Sequence, residues 1–176
     1  MPDTFRELRQ MTKSKKRPQD GDVFVIQPEE HTYYFGKVII GNIQSKNIDY
    51  QGMVLVYIYE GSSTTKEIPS RLSERELLLP PKVVNQQGWS KGYFETVGNI
   101  AVTEQEKNID FGFFSSNEPF SSYHEIPEQL KVYYDVYGEV LLNVPKHVSF
   151  NGLVSYGYIG REIRKITQER DMGRHS

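Results

Sequence analysis

The sequence contains no cysteine among its 176 residues. This excludes disulfides, thiol nucleophiles and thiolate metal sites. A chain without disulfides fits the cytoplasm, where disulfides are rare. The chain also has no apolar run approaching the roughly 18 residues needed to cross a bilayer. Residues 1–20 hold no apolar core of signal-peptide length. We therefore predict a cytoplasmic protein without a membrane partner.

The sequence also lacks the motifs of common catalytic and nucleotide-binding sites. It has no P-loop, no dinucleotide-binding glycine motif and no nucleophile elbow. Carboxylate pairs such as Asp20 with Asp22 and Glu104 with Glu106 are commonplace, and sequence alone does not show whether their pKa values differ. We predict no catalytic residue, no metal site, no cofactor and no enzymatic activity; a small hydrolase with an unfamiliar site is the alternative. No histidine has a second ligand-type residue at a zinc-site spacing; the histidines are His31, His124, His147 and His175.

Charge is unevenly distributed, although the formal net charge is only −2. Residues 1–18 carry six basic against two acidic residues, a net of +4, and residues 161–176 carry five against three, a net of +2. The body between them, residues 19–160, therefore holds 10 positive and 18 negative groups, a net of −8. An acidic body repels nucleic acid and speeds the encounter with a basic partner. The alternative is that this charge only keeps a small domain soluble.

The clearest structural signal is a predicted β-hairpin. Residues 21–27 (GDVFVIQ) and 33–40 (YYFGKVII) are rich in Val, Ile, Phe and Tyr, and a break at residues 28–30 separates them. This pattern is typical of two antiparallel strands joined by a short loop. Gly36 interrupts the second run, which indicates a bulge or a close backbone approach.

Other short apolar runs extend this prediction to a mainly antiparallel sheet. Residues 53–59 are almost entirely apolar, which predicts a strand covered on both faces. The fold class that we predict is α+β, mainly antiparallel β: a strongly bent sheet or small barrel with two or three short helices. The helices are expected at residues 3–12, from Ser73 or, with Ser70 as the cap, from an earlier residue onward, and around residues 159–166. Further strands are expected at 82–85, 92–97, 111–114, 130–137, 140–144 and 153–158, with 130–137 and 140–144 forming a second hairpin.

The basic N-terminus suggests a division of the chain. Residues 13–18, KSKKRP, end the first helix, so we predict a basic N-terminal segment at 1–18 with a short helix. Residues 19–176 are then a single globular β-rich domain. The basic run is either a nucleic-acid-binding tail or a solvated linker.

Three motifs between residues 21 and 98 carry a family resemblance. They are GDVFVIQ at 21–27, YYFGKVI at 33–39 and LLPPKVVNQQGW-x-x-GYFETVG at 78–98. Together they resemble the immunity protein 26 family, small bacterial proteins that neutralise the toxins of polymorphic toxin systems. The resemblance implies a partner, the cognate toxin domain, and a function of neutralising it.

Four residues in these motifs are able to be exposed, and we predict them as partner-binding residues: Asp22, Trp89, Tyr93 and Glu95. Trp89 is the only tryptophan. It is either an exposed anchor for a partner, since Trp is a favoured interface residue, or a lid packed over the end of the core.

The leading functional hypothesis is a cytoplasmic immunity protein that blocks its toxin by direct binding. A basic toxin, such as a nuclease, would complement the acidic body. The alternative is a small-barrel nucleic-acid-binding module that uses residues 1–18 and aromatic residues of the sheet, among the 12 tyrosines, as stacking platforms. The net charge of the body argues against that alternative. The sequence does not indicate an oligomeric state.

Overall fold

A computed structural model of the chain describes residues 7–115 and 127–174. These residues form an α+β fold with mostly antiparallel strands in two sheets, as predicted, and neither sheet closes into a barrel. The strands are β1 Asp22–Glu29, β2 Thr32–Ile40, β3 Val54–Ser63, β4 Lys82–Val84, β5 Phe94–Asn99, β6 Phe111–Ser115, β7 Val132–Tyr134 and β8 His147–Phe150. The helices are α1 Gln87–Ser90, α2 Glu104–Lys107 and α3 Tyr156–Arg174.

The larger sheet has the strand order β4-β3-β2-β1-β5, and all of its pairs are antiparallel. The hairpin predicted from residues 21–40 is confirmed, with Val25 opposite Phe35 in the β1–β2 pair. The prediction of a strand covered on both faces is also confirmed, because residues 54–59 of β3 are all buried. The strands predicted at 82–85, 92–97 and 111–114 correspond to β4, β5 and β6.

Gly36 lies opposite Phe24 in the β1–β2 pair, and the Phe24 ring packs over it. A Cβ atom built at this position would be 2.4 Å from Cζ of the Phe24 ring, so only glycine fits without a shift. The register of the β2–β3 pair also shifts between Tyr34 and Gly36. The register shift confirms the predicted irregularity, whereas the close neighbour of Gly36 is a side-chain ring and not another stretch of backbone.

Each face of the larger sheet carries its own hydrophobic core, because successive side chains of a strand point to opposite faces. Phe24 and Trp89 belong to the first core, which α3 covers with Ile159 and Ile163. The second core, on the opposite face, includes side chains from β1, β3 and β6, and from the segment after β7: Val23, Val25, Tyr57, Tyr59, Phe113 and Val136. Burial on both faces explains why the strands of this sheet have few polar residues.

The smaller sheet has the order β7-β6-β8, with β6–β7 antiparallel and β6–β8 parallel. The predicted hairpin of 130–137 with 140–144 is wrong: its second half contributes only one bridge, from Tyr134 to Val140. The predicted strand at 153–158 is also wrong, because α3 begins at Tyr156. The Ser155 hydroxyl accepts a hydrogen bond from the Tyr158 backbone N–H at 3.0 Å, which is the geometry of a helix N-cap.

Two helix predictions at the start and middle of the chain need correction. Residues 7–12 are not helical, and residues 1–6 lie outside the described part of the chain. The helix predicted from Ser73 is a single 3-10 turn, Leu72–Glu74. The helix predicted around residues 159–166 is confirmed and is longer than expected, since α3 continues to Arg174.

Residues 7–18 lie along the domain instead of extending away from it. Leu8 is buried in the first core. The backbone N–H of Met11 donates to the Gly92 carbonyl at 2.7 Å, and that of Ser14 donates to the Trp89 carbonyl at 3.0 Å. The division of the chain at residue 18 stays a prediction; these backbone contacts do not favour a free tail, and residues 12–17 are exposed to solvent. Within the described residues, no helix is long and apolar enough to span a membrane.

Candidate functional site

A cavity of about 630 Å³ opens on the face of the larger sheet that carries the second core. Its volume is within the range of about 300–1,000 Å³ that is usual for ligand pockets. Leu55 and Tyr57 of β3 contribute to its apolar lining, together with Phe111 of β6. Further apolar lining residues come from β2, from the segment after β5 and from the loop after β7: Ile39, Ile40, Ala101, Val102 and Val136.

The polar part of the lining is net acidic. Asp20 accepts a hydrogen bond from the Gly41 backbone N–H at 2.6 Å, and Asp135 accepts one each from the N–H groups of Tyr137 and Glu139, both at 2.9 Å. Neither carboxylate forms an ion pair with any of the described residues. The remaining charged lining residue is a lysine with a partner of its own: Lys107 lies 3.5 Å from Glu104.

One further lysine lies near the cavity but is engaged elsewhere. Lys46 Nζ is 2.5 Å from Glu139 Oε1. The hydrogen bond from this lysine to Glu139 raises its pKa, and the charge of Asp135 raises it further. Lys46 therefore contributes positive potential near Asp135 without pairing with it.

A buried ion pair lies behind the cavity wall. Lys37 of β2 and Glu106 of α2 approach to 2.8 Å between Nζ and Oε1, and their side chains are 2% and 0% exposed. Lys37 also donates to the Ala101 carbonyl at 3.1 Å. Tyr57, which lines the cavity, donates from its hydroxyl to the Glu106 carbonyl at 2.9 Å. The pair thus connects the sheet with the segment that forms one wall of the cavity.

The sequence folds locally to place Glu106 in this position. Thr103 and Glu106 form a capping box: the Thr103 hydroxyl accepts from the Glu106 N–H at 3.1 Å, and Glu106 Oε1 accepts from the Thr103 N–H at 2.9 Å. The Tyr59 hydroxyl donates a short hydrogen bond to the other carboxylate oxygen. Both carboxylate oxygens therefore have partners, as a buried charge requires.

The tyrosines of this network are neutral hydrogen-bond donors. Burial raises the pKa of the Tyr59 hydroxyl far above its usual value, and the hydrogen bond to Glu106 raises it further. Burial also raises the pKa of Tyr57, with a further contribution from the Glu106 charge and from nearby Tyr137. A phenol with a raised pKa is a poor general base at neutral pH, so this arrangement is suited to fixing geometry. Among the described residues, no group of three or more His, Asp or Glu side chains is placed to hold a metal ion.

The predicted partner-binding residue Trp89 is in the core. It is 2% exposed, and its ring packs edge-on against Phe24 and Phe94 at centroid distances of 5.2 and 5.1 Å. A side chain so completely buried offers almost no surface to a partner. The prediction that Trp89 is exposed is therefore wrong, and the structure favours the interpretation of a lid packed over the core.

The other three predicted residues each hold a local contact. Asp22 accepts from the Asn99 side-chain amide at 2.9 Å, at one end of β5. Tyr93, at the other end, stacks on Tyr156 of α3 with a centroid distance of 4.5 Å. Glu95 accepts from Lys66 at 2.7 Å; burial opposes ionisation, but hydrogen bonds from Lys66 and Thr12 prevail and lower its pKa. The structure does not bring the four residues together, and their role in partner binding stays a prediction.

Sequence reasoning missed the residues that shape the cavity. Asp135 was assigned to a strand, and the pair Glu104 with Glu106 was treated as commonplace. One signal was available: Thr103-x-x-Glu106 has capping-box spacing, as Ser73-x-x-Glu76 does, and only the former pair forms the box. No local pattern indicated that Glu106 would be buried, because its partner Lys37 is 69 residues away along the chain.

Comparison with known proteins gives a family match. The immunity protein 26 family matches residues 19–119, which is more than half of the chain. This stretch contains the complete five-stranded sheet, the capping box of α2 and both members of the buried ion pair. Neither the curated proteins nor the solved structures contain a match to the chain. The chain belongs to the immunity protein 26 family.

Proposed function

We propose that this protein neutralises a cognate bacterial toxin by binding the toxin domain directly. The observation that carries this proposal is its membership of an immunity protein family, shown over residues 19–119. The structure supports it with a five-stranded sheet whose second face presents an open cavity bordered by carboxylates that have no cationic partner among the described residues. The complex forms in the cytoplasm, where a toxin acting on nucleic acid would meet its substrate.

The toxin is a basic protein under this proposal. Residues 19–160 carry a net charge of −8, so long-range attraction accelerates encounter with a positively charged domain. A nuclease with a basic active-site groove has this character, because carboxylates of an inhibitor can occupy the positions where substrate phosphates bind. Binding should therefore weaken as salt concentration rises, through a slower association rate.

Growth rescue tests the function itself. The probe is the C-terminal toxin domain encoded by the neighbouring reading frame, expressed in bacteria with and without this protein. We expect the domain alone to arrest growth and co-expression to restore it. Arrest that persists in the presence of soluble, folded immunity protein contradicts the proposal.

Stoichiometry separates a binder from an enzyme that inactivates the toxin. A fixed amount of purified toxin domain is titrated with this protein, and the remaining toxin activity is measured. Direct binding predicts that inhibition reaches completion at one equivalent and is unchanged by longer incubation. Complete inhibition by a small fraction of an equivalent, progressing with time, would indicate turnover and contradict inhibition by binding alone.

A further inference from the structure

Two partly exposed apolar side chains belong to the cavity lining or lie next to it in the sequence. Tyr137, which is also a lining residue, is 50% exposed, and Ile100 is 44% exposed between the lining residues Asn99 and Ala101. Ile48 is 87% exposed. It lies two residues after Lys46, whose backbone N–H donates to the Tyr137 carbonyl at 3.0 Å. Apolar side chains clustered at a pocket mark an interaction site, whereas isolated ones are normal on a protein surface.

The carboxylates at the cavity are fixed in place before any partner arrives. The Gly41 N–H holds Asp20, and the N–H groups of Tyr137 and Glu139 hold Asp135. Because these contacts come from backbone groups, they orient the carboxylates without neutralising their charge. Groups held in this way lose little conformational entropy when a cation binds to them.

The lining has the chemical character that suits a long basic side chain. Such a side chain has an apolar stem, which packs on surfaces such as Leu55 and Val136, and a charged tip, which suits Asp20 and Asp135. Tyr137 adds an aromatic ring to the lining, and aromatic rings attract cations. Arginine fits better than lysine, because its guanidinium is planar, less strongly hydrated and able to stack on an aromatic ring.

We propose that the mouth of this cavity is the toxin-docking face and that an arginine of the toxin inserts into the cavity. This inference rests on the proposed function, since it names the surface and the anchor of the same complex. Arginine is among the residues that most often dominate binding energy at interfaces when buried in a pocket of the partner. A phosphate-bearing ligand fits poorly, because the only cation that lines the cavity in the described residues, Lys107, is already paired with Glu104.

The steric test is the substitution Ala101→Trp. Ala101 lines the cavity and is exposed, so a larger side chain obstructs the cavity without disturbing the core. We expect the affinity for the purified toxin domain to fall by at least about 100-fold, as for loss of a central anchor. Tyr158→Trp is the control, because Tyr158 is 42% exposed on α3, away from the cavity. Equal affinity of the Ala101→Trp variant and the wild type overturns the docking face.

The electrostatic test is the double substitution Asp20→Asn and Asp135→Asn. Asparagine keeps the oxygen that accepts from the backbone, so the turns are retained while the charges are removed. We expect a loss of affinity of about 10- to 100-fold, typical of an anchor that loses its charged partner, and a weaker dependence of affinity on salt. The matched control is Glu67→Gln with Glu169→Gln, which changes net charge equally at two exposed positions that do not line the cavity. The same loss in both variants would mean that only net charge matters and would overturn the arginine site.

The outcomes separate this inference from the proposed function. If the wild-type protein does not bind the toxin domain, the proposed function fails. If it binds and both cavity variants bind equally well, the function stands and the docking face is elsewhere. A last experiment replaces each arginine of the toxin by methionine, one at a time. One of these toxin variants should bind the wild-type immunity protein more weakly. The cavity variants of the immunity protein should bind that toxin variant with little further loss of affinity. Additive losses for every arginine would overturn the insertion.

Discussion

Lys37 and Glu106 form an ion pair that is almost completely shielded from water, with 2.8 Å between Nζ and Oε1 and exposed fractions of 2% and 0%. β2 supplies the lysine and α2 the glutamate, so the pair fixes a helix of a single turn against the sheet. Removing one member of such a pair is costly, because the other remains charged and without its partner in a low-dielectric interior.

The first prediction concerns this pair. Lys37→Met should lower the free energy of unfolding by about 3–5 kcal/mol, because it leaves the Glu106 carboxylate uncompensated. Lys66→Met is the control, since the Lys66–Glu95 pair is partly exposed, at 39% and 15%. Exposed pairs contribute about 0–1 kcal/mol. Urea denaturation at neutral pH measures both variants, and an equal loss in the two would contradict the assigned role of the buried pair.

Stability at alkaline pH provides the second prediction. Burial raises the pKa of Tyr57 and Tyr59 above the ordinary value of 10.0, so above that pH the unfolded chain releases these protons more readily than the folded chain. The contribution of the two protonated hydroxyls to the free energy of unfolding is complete below pH 10 and is lost as the pH rises above 10. The free energy of unfolding of the wild-type protein should therefore decrease steeply from about pH 9.5 to 11.

The variant Tyr57→Phe with Tyr59→Phe should show a shallower decrease over that range, although it is less stable at neutral pH because Glu106 loses hydrogen-bond donors. The matched control is Tyr137→Phe, at a half-exposed ring on the cavity mouth. A double variant whose stability decreases with pH as steeply as that of the wild type would show that the buried hydroxyls are not responsible.

Gly36 gives the third prediction. In Gly36→Ala the new Cβ lies where the Phe24 ring packs, at 2.4 Å from Cζ, and the ring is itself stacked on Phe94. We expect a loss of about 1–3 kcal/mol in the free energy of unfolding from overpacking. Gly152→Ala is the control, because nothing lies within 4 Å of a Cβ at that position. Thermal denaturation compares the two; equal midpoints would mean that the core adjusts without cost.

The sequence predicted the elements whose signals are local. The hairpin of β1 and β2, the buried strand β3 and the irregularity at Gly36 follow from runs of β-branched and aromatic residues and from one glycine within them. The amphipathic face of α3 was also visible in Ile159 and Ile163. These patterns arise because each element buries one or both faces, whatever its neighbours are.

The elements that sequence reasoning missed depend on distant contacts. Strand β8 pairs in parallel with β6, and nothing in the four residues His147–Phe150 indicates that partner. The start of α3 was set by a cap at Ser155 and not by the apolar residues that resemble a strand. The cavity combines residues from at least five segments, so no motif in a single segment describes it.

The same limitation affected the predicted binding residues. Trp89 and Tyr93 belong to the motifs that resemble the family, but Trp89 packs against Phe24, and Tyr93 stacks on Tyr156. Both side chains therefore pack within the domain and stabilise the fold, as motif residues often do. The exposed Tyr137 that borders the cavity lies outside the motifs and outside the stretch that matches the family.

The affinity of the purified protein for the toxin domain of the neighbouring reading frame tests the central claim most directly. Isothermal titration calorimetry at about 0.15 M NaCl, a physiological ionic strength, measures both stoichiometry and dissociation constant. Neutralisation by direct binding predicts a one-to-one complex with a dissociation constant of about 1 nM or lower, equivalent to about −12 kcal/mol. No heat of binding at several temperatures, with a toxin domain shown to be active and an immunity protein shown to be folded, would contradict it.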